Sequence, residues 1–417
     1  MSTVKIHTHQ REEVEKMLRE IELPGQFWNY GVNYKVVEDF YKGWDLEDEH
    51  YFNMPEFRWS PNIQSRSYIK VECPTQEVRD AVFKKFGAKS GGLNYIHYKI
   101  DPNPAADCEY TFTHKITPKY PLYVITLGRW DKTYTIDTLE EMGIDFNICV
   151  EPKEYDKYAA NPKIDTEKII KLPENFSERG QGGIPVRNFV WEHSVQNGHK
   201  KHWIIDDNIE GFFRWNNNVQ KKVKDGVFFR IMEDFSDRYT NLGLAGCQYF
   251  SFVPSNEPRR TQFIINTRVY SCILINTELL DKRLDERWRG RYNEDTDLCL
   301  RVLSTGDLCT VNFNNLLSGK KTTGTVKGGN TNTIYEFGEN KEENAKFTGL
   351  QKKFDELKEN WGDIVQYTNA KHADGRPHHV IHYTKLFKQK LVMKEGVSKE
   401  PFINEYNMKF EKVNKDE

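Results

Sequence analysis

Three apolar runs separated by helix-like stretches constrain this chain most: Leu122-Tyr123-Val124-Ile125-Thr126-Leu127, Asp145-Phe146-Asn147-Ile148-Cys149-Val150 and Trp203-Ile204-Ile205. The first reads as a buried strand, and the second and third as further strands. Thr133 to Met142 reads as the crossover helix between the first two, and Phe189 to Gln196 as a helix that Asn197-Gly198 stops. Strands alternating with helices predict an α/β fold around a mostly parallel sheet. In such sheets ligands bind in the crevice outside the carboxyl ends of the strands.

Those carboxyl ends carry chemistry. The first run ends at Thr126-Leu127-Gly128-Arg129-Trp130, where a nucleotide can sit, so Thr126 and Arg129 are candidate donor-binding residues. The third ends in Asp206-Asp207-Asn208. Carboxylates at a strand terminus can hold Mg or Mn while substrate phosphates fill the remaining positions. Asp206 or Asn208 would then bond the ribose and Asp207 the metal, a division the residues leave open. An Asx turn closing the strand is the plain alternative.

A second acidic cluster, Asn293-Glu294-Asp295-Thr296-Asp297, opens a helix whose apolar face is Leu298, Cys299, Val302 and Leu303, ended by Gly306. Asn293 is expected as its N-cap. Acids in a first helical turn gain about 0.3–1 kcal/mol each from the macrodipole, and three in four positions exceed what capping needs. Asp295 is the candidate general base, a role worth roughly 10²–10⁴ in rate. Glu294 would bond the sugar or orient the base. Arg187 follows Gly182-Gly183-Ile184-Pro185 at a helix start, where backbone N–H groups and a guanidinium can meet a pyrophosphate. Thr322 to Asn330 is a second glycine-rich stretch, either a lid over the donor or a surface loop. Of His378, His379 and His382, His379 is the candidate third metal ligand.

Composition bounds the class. The chain has 417 residues, 60 Lys and Arg against 62 Asp and Glu, and a net charge of -2, so a polyanionic partner must be met by a local basic patch. Its 7 cysteines are scattered and never spaced Cys-x-x-Cys, which argues against a disulfide framework or zinc knuckle and points to a reducing cytoplasm. No apolar run approaches the roughly 18 residues of a membrane span, and no signal pattern opens the chain. Residues 1–118 read as a small α+β accessory domain, 119–335 as the catalytic domain, and 336–417 as a helical extension with a loosely held tail after about Lys388. The accessory segment contributes a helix from Arg11 to Ile21, an aromatic stretch from Phe27 to Pro61 read as packing, and a β-α-β unit over Tyr68 to Ile100.

Three motifs in order, Gly-Gly-Ile-Pro-Val-Arg-Asn-Phe-Val-Trp-Glu-His at 182–193, Trp-Ile-Ile-Asp-Asp-Asn at 203–208 and Asn-Glu-Asp-Thr-Asp-Leu at 293–298, carry a family likeness. Over roughly residues 120–335 the chain resembles the glycosyltransferases associated with TET/JBP-type base oxygenases and found in phages. The resemblance implies a GT-A-like, Rossmann-type sheet and transfer of glucose or arabinose from a UDP-sugar to the hydroxymethyl group of 5-hydroxymethylcytosine in DNA. It implies inversion, with Asp295 as base, and a donor held through Asp206, Asp207 and a divalent metal (Mn or Mg). Asp-Asp-Asn stands where many GT-A enzymes have Asp-x-Asp, which leaves the metal ligand, and metal dependence itself, open.

For DNA, Arg259, Arg260, Arg289, Arg291 and Lys327 are the candidate acceptor-side cations, with Arg268, Arg283, Arg287, Lys320 and Lys321 nearby in sequence. Such a patch can supply the phosphate contacts of salt-dependent binding; pairing with Asp281, Asp285 and Glu286 is the plain alternative. Two other readings remain: the same enzyme class with a non-DNA acceptor, and a DNA-binding module on a degenerate transferase. Neither a membrane nor an obligate protein partner is expected.

Overall fold

The computed structural model describes residues 2–8, 11–21, 34–38, 50–53, 67–73, 75–88, 95–98, 116–216, 219–253, 263–321, 328–329, 344–368, 378–397, 402–403 and 409–412. The expectations for Arg259, Arg260 and Lys327 lie outside the described residues. So does most of the aromatic stretch before Pro61.

Near the N-terminus, β1 (Ser2–Thr8), α1 (Arg11–Arg19), β2 (Tyr34–Glu38), β3 (His50–Asn53), β4 (Ser67–Cys73), α2 (Gln76–Lys85) and β5 (Tyr95–Tyr98) follow in order. They include a four-stranded sheet of order β2-β4-β1-β5. Val4, Ile6, Ile69 and Val71 of this sheet pack on Val14 and Val82 of the two helices. β4 and β5 are not neighbours as a bare β-α-β unit requires, because β1 lies between them, antiparallel to β4 and parallel to β5. β3 pairs instead with the late strand Lys409–Lys412.

Residues 122–320 contribute β6 (Leu122–Ile125), β7 (Asn147–Val150), β8 (Ile169–Lys171), β9 (His202–Asp206), β10 (Ile209–Asn216), β11 (Val219–Lys222), β12 (Leu242–Tyr249), β13 (Phe263–Ile265), β14 (Cys272–Ile275) and β15 (Cys309–Lys320). Their order is β11-β10-β15-β12-β14-β9-β6-β7-β8, with β13 on β15. The fold is α/β, as expected, with a Rossmann-type half in which β8, β7, β6 and β9 run parallel. The other half is mixed: β14 runs antiparallel to both β9 and β12. The segment between β13 and β14 is too short for a helical crossover. Asn266 and Ser271, at φ 55 and 62, lie in this segment, and β13 and β14 do not pair with each other: β13 pairs with β15, and β14 with β9 and β12.

Helices α3 (Tyr134–Glu141) and α5 (Val227–Asp237) cover one face of the sheet, and α4 (Ile184–Gln196) and α6 (Glu294–Ser304) the other. Successive strand residues point to opposite faces. Leu122, Val124, Trp203 and Ile205 therefore enter the α3/α5 core, and Tyr123, Ile204, Ile273 and Ile275 the α4/α6 core. Each such side chain contributes roughly 1.5–3 kcal/mol by burial. Because both faces are sealed, the strand register is fixed, and a consequence follows at the end of β9. Asp206 continues the alternation onto the α4/α6 face, and Asp207, past the end of the strand, turns toward Thr126, Leu127 and Arg129 at the end of β6.

Beyond β15, α7 (Asn344–Trp361) packs through Leu357 against Leu300 of α6, and Trp361 Nε1 donates to Asp297 Oδ1 at 2.9 Å. β16 (Gln366–Thr368) and β17 (His378–Val380) form a two-stranded ribbon. Among the described residues after Lys388, the stretch up to Val397 is tied to the sheet region: Asn241 Nδ2 donates to the Lys390 carbonyl at 2.8 Å and Val392 N to Asn241 Oδ1 at 2.7 Å. Its charged composition hid these bonds, which run through backbone atoms. The six described cysteines are buried free thiols, and no described helix is long and apolar enough to cross a membrane.

Candidate active site

The parallel half of the sheet ends in two adjoining nests of charge. The first lies beyond β6. Thr126 Oγ1 donates to Asp207 Oδ2 at 2.9 Å, the Leu127 amide donates to the same oxygen at 3.3 Å, and the Arg129 guanidinium donates to Asp207 Oδ1. Tyr158 OH lies 2.6 Å from Thr126 Oγ1 and accepts from the Arg129 amide at 3.2 Å. Since Thr126 donates to Asp207, the phenol must be the donor to Thr126. Burial pushes the Tyr158 phenol up, which keeps that proton in place. Gly128 N donates to Glu154 Oε2 at 2.7 Å, closing the turn.

Gly328 and Gly329 lie across this turn. Gly329 N donates to the Leu127 carbonyl at 2.7 Å, and Arg129 Nη2 to the Gly328 carbonyl at 3.3 Å. A Cβ on Gly328, at φ +86, would stand 2.5 Å from the Gly128 carbonyl oxygen, so only glycine permits this approach.

The second nest joins the two acidic clusters. Arg187 Nη2, from the first turn of α4, lies 3.0 Å from Asp206 Oδ1 and 3.2 Å from Glu294 Oε1. Its guanidinium stacks 4.8 Å from the centroid of the Trp288 ring. Lys320, the last residue of β15, places Nζ 2.7 Å from Asp206 Oδ2, 2.6 Å from Ser271 Oγ and 3.3 Å from Tyr249 OH. Beside them Arg268 Nη2 donates to Asp295 Oδ2 at 2.7 Å, and the Thr296 amide to Asp295 Oδ1 at 2.7 Å. Burial would raise the carboxyls of Asp206 and Asp295, but the facing cations outweigh it and hold both below the usual range. Lys320 and Arg187 act on Asp206, and Arg268, Arg187 and Lys320 on Asp295. Lys320 itself is held protonated by Asp206 and Tyr249 despite its burial.

The model of the TET-associated glycosyltransferases matches residues 120–329, half of the chain. The chain belongs to this family. A search of the curated proteins finds no match.

The matched region contains every residue of both nests, so the resemblance of the three motifs coincides with one place in the fold. The structure brings Arg187, Asp206, Glu294 and Asp295 together, and Thr126, Arg129 and Asp207 beside them. Other expected residues lie elsewhere or are otherwise committed. Asn208 Nδ2 donates to the Lys321 carbonyl at 2.7 Å and its own carbonyl accepts from Lys321 N at 2.8 Å, so it holds the end of β15. Asn293 sits at φ 53 with no side-chain cap; its Nδ2 donates to the Lys353 carbonyl at 3.0 Å. Asp297 accepts from Arg289 at 3.1 Å, Arg301 at 2.7 Å and Trp361 at 2.9 Å, which makes it an anchor for α7. Arg283 pairs with Asp307, Arg287 with Asp281 and Glu192, and Arg289 with Asp297 and Glu286. Arg291 lies over the Tyr292 ring, and its amide donates to Glu356 Oε1 at 2.6 Å.

The donor set fits a divalent metal poorly. Such an ion takes oxygens whose negative charge is not already met. Both oxygens of Asp206 accept from cations, and both of Asp207 accept from Arg129, Thr126 or Leu127 N. Asp206, Asp207, Glu294 and Asp295 are balanced by Arg129, Arg187, Arg268 and Lys320. His379 lies on β17, and among the described residues no three His, Cys, Asp or Glu side chains converge as a metal group. The expectation that Asp206, Asp207 and His379 share an ion therefore finds no support in the geometry. Asp206 ends β9 and Asp207 lies in the turn beyond it, and the two carboxylates take different partners, Arg187 and Lys320 for the first and Thr126, Leu127 N and Arg129 for the second.

Lys320 and Arg268, grouped in the sequence with the acceptor-side cations, pair in the structure with Asp206 and Asp295. Their carboxylate partners lie 114 and 27 residues away, so no local spacing could reveal either pair.

Proposed function

We propose that this family member transfers a sugar, glucose or arabinose, from a UDP-sugar to the hydroxymethyl oxygen of 5-hydroxymethylcytosine in DNA, with inversion. The observation that supports this most is the Arg187 bridge between Asp206 and Glu294, which makes one site of two acidic clusters far apart in sequence.

In this reading the uridine and ribose lie against Thr126, Arg129 and Asp207, beyond β6. The diphosphate lies toward Arg187 at the start of α4, and the sugar toward Glu294. Asp295, ionised and held by Arg268, removes the proton of the acceptor hydroxyl. The oxygen attacks C1 of the sugar, the C1–oxygen bond to the phosphate breaks, and UDP leaves with the electron pair. Preorganised donors aimed at the departing charge supply the electrostatic part of catalysis. The DNA backbone is met by Arg259, Arg260 and Lys327, with Arg291 and the exposed edge of Arg289 at the rim. The place of action is the interior of the cell, where the DNA is.

Asp295→Asn tests the assignment. It is isosteric and should abolish transfer while UDP binding persists; turnover at the wild-type rate would remove Asp295 from the role of base.

A further inference from the structure

As the sugar departs from a UDP-sugar, negative charge accumulates on the diphosphate and must be met by positive charge. We infer that Lys320, together with Arg187, supplies the positive charge that a divalent metal would otherwise bring, so that donor binding by this chain is metal-independent. The inference rests on the UDP-sugar reading and goes beyond it in naming what holds the leaving group.

Three observations carry it. First, Asp206 stands at the end of β9, where a metal-binding carboxylate is expected, yet Lys320 Nζ occupies one oxygen at 2.7 Å and Arg187 Nη2 the other at 3.0 Å. An added divalent ion would meet these two cations and find no unmatched acid. Second, Lys320 is placed by construction. The paired backbone of Asn208 and Lys321 fixes the end of β15 against the turn after β9, and Ser271 and Tyr249 complete a tripod around the ammonium. An ammonium has three donors. The contact to Tyr249 OH, at 3.3 Å, is the longest of the three and the one a phosphate oxygen would displace.

Third, the charge balance follows the reaction. Three acids, Asp206, Glu294 and Asp295, face Arg187, Lys320 and Arg268. When Asp295 takes the acceptor proton, this nest loses one negative charge as the departing phosphate gains one. Lys320 and Arg187 are the cations positioned to meet it, and a guanidinium beside a lysine is a phosphate-binding pair in its own right.

The test is calorimetric titration of the full chain with UDP, in chelator and in excess Mn, for wild type, Lys320→Met and Lys320→Arg. Wild type should bind UDP with the same affinity in both conditions. Lys320→Met should lose about tenfold or more, as removal of a charge-assisted contact implies, and should regain part of that loss with Mn, because Asp206 then has an oxygen free. Lys320→Arg should keep metal-free binding, which preserves the test if the methionine variant does not fold. Wild-type binding that Mn tightens about tenfold or more would overturn the inference and leave the donor reading standing. So would a folded Lys320→Met that binds as wild type does. UDP that binds in neither condition would overturn both.

Discussion

The Arg268 guanidinium stands 2.7 Å from the Asp295 carboxylate, and the pair lies next to the Arg187 bridge between Asp206 and Glu294. Burial alone would raise Asp295, and the cations reverse the sign. A base held ionised in this way works down to low pH. The acid limb of kcat/KM is therefore expected below the usual carboxylate value near about 3.9. Arg268→Gln should move it upward by about one to three units, since burial then dominates. An acid limb unmoved in the variant would separate Arg268 from the ionisation of Asp295.

Arg187 is nearly inaccessible and serves two acids, so its loss leaves Asp206 and Glu294 without a shared cation. Breaking a buried pair by removing one partner costs about 3–5 kcal/mol. Arg187→Met should lower unfolding stability by that order and abolish transfer. Chemical denaturation followed by fluorescence would show it; a loss below about 1 kcal/mol would mean that solvent or another side chain replaces the guanidinium.

Gly328 presses on the Gly128 carbonyl at a positive φ. Gly328→Ala should cost roughly 1–3 kcal/mol of local strain and weaken UDP binding by displacing the Arg129 cradle, while Gly306→Ala, which meets open space at φ +85, should cost strain alone. Equal UDP affinity in the two variants would show that the close approach does not shape the donor site.

His202, inside β9, has both ring nitrogens buried without a partner, and burial pushes it down to about 3 from 6.5. A folded state that rejects the proton is stabilised above pH 6.5, relative to the unfolded chain, and loses that stability as pH falls toward 3. Glu233 has the opposite slope: burial raises it from 4.5 to about 7, so its contribution is complete below 4.5 and lost as pH rises through 7. The difference between wild type and His202→Leu isolates the histidine. The variant should lose less stability on acidification; parallel melting-temperature curves between pH 7 and 4 would refute the assignment.

Much of this fold is legible in sequence because the parallel strands are apolar on both faces and end in polar clusters. Leu122–Leu127 and Trp203–Ile205 declare themselves. β12 does not, since Leu242-Gly243-Leu244-Ala245-Gly246 lacks the β-branched residues that mark strands; its glycines are there because Leu280 and Val302 crowd Gly243, and the Cys272 carbonyl and Val269 crowd Gly246. At the site, the acids are visible as clusters, but their division between two nests follows from the face each residue takes at the end of β9. Lys320 has no local signal, because a twelve-residue strand carries it to Asp206.

Transfer of a sugar to hydroxymethylated DNA leaves its product in the DNA itself. The direct measurement is incubation of the protein with UDP-glucose or UDP-arabinose and duplex DNA containing either 5-hydroxymethylcytosine or cytosine, followed by digestion to nucleosides and mass analysis. A glycosylated 5-hydroxymethyl-2′-deoxycytidine, present with one of these donors, absent from unmodified DNA and absent with Asp295→Asn, is the expected result. Donor turnover with no DNA product, the sugar appearing on water or another hydroxyl acceptor, would contradict it.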